Sequence, residues 1–134
     1  MKEAEARWDA LIQAAQAACP NACAPYSKFD VGAALETEDG RVFIGSNIES
    51  SSYGLSVCAE RVALFKALSE GFRSFRRLVV VTESDPPAPP CGACRQLLWD
   101  YAKGIEILLV GKTGKTVQVK LEDLLPMPFG SEHL

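Results

Sequence analysis

The sequence predicts an α/β fold: a three-layer α/β/α domain on a mixed sheet of about five strands. Two observations carry that expectation. Segments with helical apolar spacing alternate with short β-rich segments in the order α, β, β, α, β, α, β, β. One strand segment, 78–81, is apolar throughout rather than alternating, and a second, 105–110, is apolar but for Glu106, the pattern of strands covered by helices on both faces. A chain of 134 residues, 48% of them hydrophobic, suits one core, so residues 1–134 are expected to form a single domain.

Each element has its own signal. Trp8, Leu11, Ile12, Ala15 and Ala18 recur at helical spacing over residues 4–18, and Pro20 closes this first helix. Phe29, Val31, Ala33 and Leu35 alternate with smaller or polar neighbours. Asp39 and Gly40 make a turn, and Val42 and Ile44 resume the alternation, which predicts a β-hairpin. Residues 59–70 place Val62, Ala63, Ala67 and Leu68 on one face of a second helix that exits at Gly71. A β-branched run at 78–81 predicts a buried strand, and a loop containing Pro86, Pro87, Pro89 and Pro90 follows. Residues 91–103 predict a third helix ended by Gly104, 105–110 another buried strand, 116–119 a weaker strand, and 121–125 a helical turn before Pro126.

Composition narrows the function classes. With 14 basic and 17 acidic residues the net charge is −3, and no run of like charges exceeds the pair Arg76 and Arg77, so no nucleic-acid groove built on general basicity is expected. His133 is the sole histidine, which removes a two-histidine metal site or an imidazole triad unless the tail folds inward. Glu3, Glu5 and Asp9 stand where a secretory signal needs basic and then apolar residues, and no apolar run approaches 18 residues. The expectation is a cytoplasmic protein without a membrane partner.

Five cysteines are too few for a disulfide scaffold, and the count is odd, so reduced thiols or metal ligands are expected. Cys91 and Cys94 are spaced i, i+3 at the opening of a predicted helix, which suits zinc and equally a redox pair between a strand and a helix. Cys58 and Glu60 open the helix before it. Together Cys58, Cys91 and Cys94 would offer three thiolates from two helix N-termini. Such a set leaves one corner of a tetrahedron open for water, with a carboxylate beside it, as catalytic zinc requires. The rival arrangement joins Cys19 and Cys23 to Cys91 and Cys94 in a closed, structural four-cysteine site. Three thiolates and Zn²⁺ sum to −1. Two helix N-termini would offset that charge, as would Arg61 and Arg95 acting as donors to the sulfurs, although either arginine could equally be an ordinary surface residue.

Cys58-Ala59-Glu60 followed by Pro90-Cys91-Gly92-Ala93-Cys94 resembles the signature of the zinc-dependent nucleoside and base deaminases. The stretches 24–29, 31–35, 47–49, 58–61, 91–96 and 124–126 together are similar to the small homotetrameric cytidine deaminases, in that family's order over nearly the whole chain. The resemblance implies one Zn²⁺ per chain on Cys58, Cys91 and Cys94, and proton transfer by Glu60. It implies contacts from Asn47 and Glu49 to the region of the ribose 3′-hydroxyl, and contacts from Phe29 and the backbone of Ala59 to the pyrimidine. Phe129 would reach into a neighbouring subunit's site in a homotetramer with shared active sites. The implied activity is hydrolytic deamination of cytidine and 2′-deoxycytidine in pyrimidine salvage. Rival readings are a deaminase of the blasticidin S type, a thiol oxidoreductase using Cys91 and Cys94 alone, and a structural zinc module. Taken singly, Phe29 also fits a core residue, Asn47 and Glu49 a solvated turn, and Phe129 an anchor for the tail.

Overall fold

The computed structural model describes residues 2–134. In chain order the helices and strands are α1 (Lys2–Ala18), β1 (Val31–Thr37), β2 (Val42–Ser46), α2 (Ala59–Ser69), β3 (Phe75–Thr82), α3 (Gly92–Tyr101), β4 (Glu106–Val110), β5 (Thr116–Lys120) and α4 (Leu121–Leu124). The strands form one mixed sheet in the order β2-β1-β3-β4-β5. β3 and β4 run parallel because α3 carries the chain back between them, and the other neighbours are antiparallel. The β1–β2 turn closes at Gly40, whose φ of +90° suits a residue without a Cβ.

Period-two alternation on the central strands divides the core in two. Leu78 and Val80 of β3, with Ala33, Leu35, Ile107 and Leu109, pack against Ala63, Leu64 and Ala67 of α2 and Leu98 of α3. Val79 and Val81, with Ala34 and Val110, pack against Leu11 and Ala15 of α1. The fully apolar run at 78–81 is therefore buried on both faces, and the expected three layers are present.

The bounds shift where backbone or charge overrides apolar pattern. β3 begins at Phe75, three residues before the apolar run, since Arg77 pairs across the sheet with Glu36. Glu36 is only 4% exposed and accepts from Arg77 at 2.7 Å and Arg7 at 3.3 Å, while Arg77 lies 5.5 Å from the centroid of the Trp8 ring. This buried pair ties α1 to the sheet. The third helix is shorter than expected at both ends: Cys91 is extended (φ −67°, ψ 168°) and Ala102 has left the helical region. Among the described residues no helix is long and apolar enough to cross a membrane.

Close helix approach sets where the site lies. A Cβ on Gly45 of β2 would stand 2.3 Å from the Ala59 carbonyl oxygen and 2.7 Å from the Ala63 nitrogen, so α2 rests on backbone at this point. Gly45→Ala is expected to lower stability by about 1–3 kcal/mol, read as a fall in thermal midpoint, because α2 must move off the sheet. Equal midpoints for variant and parent would show that α2 does not depend on that contact.

Candidate active site

The N-termini of α2 and α3 converge, with Cys58 and Cys91 as their N-cap residues and Cys94 one turn into α3. The Cys58 and Cys91 sulfurs are 3.5 Å apart, and all three sulfurs lie within 4.8 Å of one another. A zinc tetrahedron with bonds of about 2.3 Å has edges of about 3.8 Å, so the trio fits that metal. Cys94 is buried behind, while Cys58, Cys91 and Glu60 line a cavity of about 460 Å³. The side of the trio away from Cys94 therefore opens onto a space of small-ligand size.

The donor set itself calls for a cation. A hydrogen bond from Cys94 and the nearby Arg61 draw the Cys58 thiol down to about 5, whereas Cys94, as the donor and as a buried group facing Glu60, is pushed far up. Cys58 and Cys94 therefore do not ionise together on their own. A dication among them removes the conflict, since a coordinating thiol binds as thiolate. Arg61 Nη2 stands 3.7 Å from Cys58 Sγ and 3.4 Å from the Ser56 carbonyl. Arg95 departs from expectation: it donates to the carbonyls of Pro90 at 2.7 Å and Leu124 at 2.8 Å, bracing the turn before Cys91 against α4 rather than meeting the sulfurs.

Glu60 is 5% exposed, and burial, assisted by the neighbouring Cys58 charge, pushes its carboxyl up to about 7. Ala59, fully buried, adds the first turn of α2 to the cavity wall, and Phe29 and Val31 add the start of β1. Residues 47–49 are clamped on both sides: Cys23 N–H donates to the Asn47 carbonyl and Glu49 N–H to the Cys23 carbonyl, while Ile48 and Val57 exchange both backbone bonds. Extended backbone turns Asn47 and Glu49 toward the cavity and leaves Ile48 outside. Asn47 Oδ1 accepts from Val31 N–H at 2.8 Å, and its Nδ2 donates to the Phe29 carbonyl at 2.8 Å. Glu49 Oε1 accepts from Tyr26 and Ser27 N–H at 3.1 Å each, and Oε2 accepts from the Ser27 hydroxyl. These bonds, that of the Ser27 hydroxyl first, hold its carboxyl below the usual range.

Not every expected residue joins this cavity. Phe129 is 56% exposed and stacks on His133 with centroids 5.3 Å apart, and its carbonyl accepts from Gln96, so it lies beside α3 and outside its own chain's site. The closed four-cysteine arrangement is overturned. Cys19 packs on the α1 side of the sheet with its thiol toward the Val81 carbonyl, and Cys23 is exposed. A two-sulfur redox centre does not describe the site either, since Cys58 stands with the other pair. Ser27, Tyr53, Val57, Thr82 and Pro89 line the cavity with no role assigned from sequence; the position of Ser27 two residues before Phe29 was the one available signal.

Comparison with known proteins gives the same assignment. A family model described as the cytidine and deoxycytidylate deaminase zinc-binding region matches residues 6–110. A cytidine deaminase from Sporosarcina psychrophila is 45% identical over 125 residues, covering 92% of each chain. A blasticidin-S deaminase from Bacillus cereus is 33% identical over 111 residues, covering 77% of this chain and 79% of that one. The crystal structure of cytidine deaminase from Burkholderia pseudomallei superimposes with a TM-score of 0.88 at 49% identity, covering 90% of this chain and 98% of the other. With the sulfur trio, the buried glutamate and these relatives in agreement, the chain belongs to the cytidine and deoxycytidylate deaminase family.

Proposed function

We propose that the protein is a zinc-dependent cytidine deaminase, converting cytidine or 2′-deoxycytidine and water to the corresponding uridine and ammonia. The observation that carries this is the three-sulfur group opening onto a cavity that also holds a buried carboxyl. Cys58, Cys91 and Cys94 would hold the zinc. When bound, it supplies Lewis acidity that brings the pKa of water from 15.7 toward about 7. The chain's own residues do the rest. Glu60, with a pKa near neutrality, takes a proton from the attacking water and gives it to ring N3, which makes C4 electrophilic. It then takes the second proton, from the hydroxyl now on C4, and delivers it to the exocyclic amine; the C4 carbonyl forms as the C4–N bond breaks, and ammonia leaves. Phe29 and the Ala59 backbone hold the ring.

Hydrogen-bond arithmetic supports the sugar assignment. Asn47 Nδ2 keeps one free hydrogen after serving Phe29, and Glu49 Oε2 keeps a free lone pair after serving Ser27. A donor beside an acceptor complements one hydroxyl group. With a single hydroxyl read in this way, ribose and 2′-deoxyribose are both accepted. Arg61 is the one cation among the described lining residues and is already committed to Cys58 and Ser56, while Glu49 is ionised. A 5′-phosphate would therefore meet no counter-charge.

Ammonia release from cytidine, deoxycytidine, deoxycytidylate and blasticidin S tests the proposal. Both nucleosides are expected to react, with kcat/KM for deoxycytidylate lower by about 100-fold or more. Silence on cytidine with turnover of blasticidin S would move the assignment to that relative's activity. The same reading takes the protein as a cytoplasmic enzyme of pyrimidine salvage that binds no nucleic acid, and as a homotetramer with shared active sites. In that assembly Phe129, exposed and clear of its own cavity, serves a neighbour. Solution mass tests the assembly.

A further inference from the structure

We propose that Ser27 is the residue that sets sugar recognition, by fixing which lone pair of Glu49 faces the substrate. The inference rests on the reading of Glu49 as an acceptor for a sugar hydroxyl. A serine hydroxyl has one proton to donate, and Ser27 donates it to Glu49 Oε2. Ser27 Oγ in turn accepts from Phe29 N–H at 3.1 Å, so the Ser27 side chain joins the sugar acceptor to the wall that meets the base. Glu49 Oε1 is already held by two backbone N–H groups, which makes it a pivot. Without the Ser27 hydroxyl, Oε2 is unrestrained about that pivot. The turn presenting Ser27 is held by Lys28 N–H donating to the Ala24 carbonyl at 3.0 Å, with Lys28 at a φ of 59°, a conformation lysine rarely adopts. Ser27 lines the cavity itself, so the link lies at the site and not behind it.

This makes Ser27 a positioning residue for binding, and its effect belongs to the sugar hydroxyl. In the test, kcat/KM is measured for cytidine and for 3′-deoxycytidine with the wild-type enzyme, Ser27→Ala and Ser27→Thr, each loaded with zinc. For Ser27→Ala the preference for cytidine over 3′-deoxycytidine is expected to fall about tenfold, through KM rather than kcat, and Ser27→Thr is expected to restore most of it. A fall of equal size on both substrates would overturn the proposal, leaving Ser27 as a support of the Phe29 wall alone, and so would an unchanged preference. If the wild-type enzyme already treats the two substrates alike, Glu49 does not read that hydroxyl. That result removes the underlying reading before any variant is made, and the role of Ser27 with it. Thermal midpoints of the variants separate loss of fold from loss of recognition.

Discussion

Glu60→Gln is expected to lower kcat on cytidine by about 10³-fold or more while zinc content and thermal midpoint stay at wild-type values. The side chain is nearly fully enclosed at the first turn of α2, beside the open face of the sulfur trio. Glutamine fills the same space and keeps hydrogen-bonding capacity, but it cannot pick up and release a proton. One positioned acid or base is worth roughly 10² to 10⁴ in rate, and here one carboxyl serves the water, ring N3 and the exocyclic amine in turn. A loss of 10³ corresponds to about 4 kcal/mol of barrier. Glu60 is not among the three sulfur donors, so the metal content should not follow the rate. Activity within tenfold of wild type, with zinc retained, would remove Glu60 from the chemistry and return the search to Glu49, the other carboxylate lining the cavity.

Much of this site was legible because its parts sit at local signals. Cys58 directly precedes one helical pattern and Cys91 opens another, and a residue in either position lies at the helix end; two such ends, each carrying cysteine, suffice to suggest a shared ion. The apolar run at 78–81 likewise announced a doubly covered strand. What escaped depends on partners distant in sequence. Arg77 reads only as half of the like-charge pair Arg76–Arg77 until Glu36 lies opposite it across β1 and β3. Arg95 reads as a sulfur donor because it follows Cys94, but α4 closes over α3 and supplies the Leu124 carbonyl instead. Asn47 and Glu49 could equally have been a solvated turn. The backbone bonds from Cys23 on one side and Val57 on the other turn them inward, and no spacing within the segment encodes those. Sheet order is similar: β1 lies between β2 and β3, and only core packing from both faces sets that arrangement.

Cys94→Ala is expected to lower zinc from about one ion per chain to below about a tenth, with loss of turnover and of several degrees of thermal midpoint. Cys94 is the buried member of the trio, in the first turn of α3, and its removal leaves one exposed and one half-buried sulfur. Two thiolates cannot complete a three-ligand site, and exposed ones exchange freely with solvent metal. Any ion bound only to the folded state stabilises it by mass action, about 2.7 kcal/mol at a hundredfold excess over its Kd, so the fall in midpoint should track the lost metal. Cys19→Ala supplies the contrast. Its sulfur lies across the sheet with the α1 layer, so zinc and activity should both persist. Metal analysis and ammonia release on the two variants decide between the sites. Zinc retained by Cys94→Ala and lost by Cys19→Ala would place the ion on the α1 side of the sheet, away from Glu60, and leave the deamination chemistry without its metal.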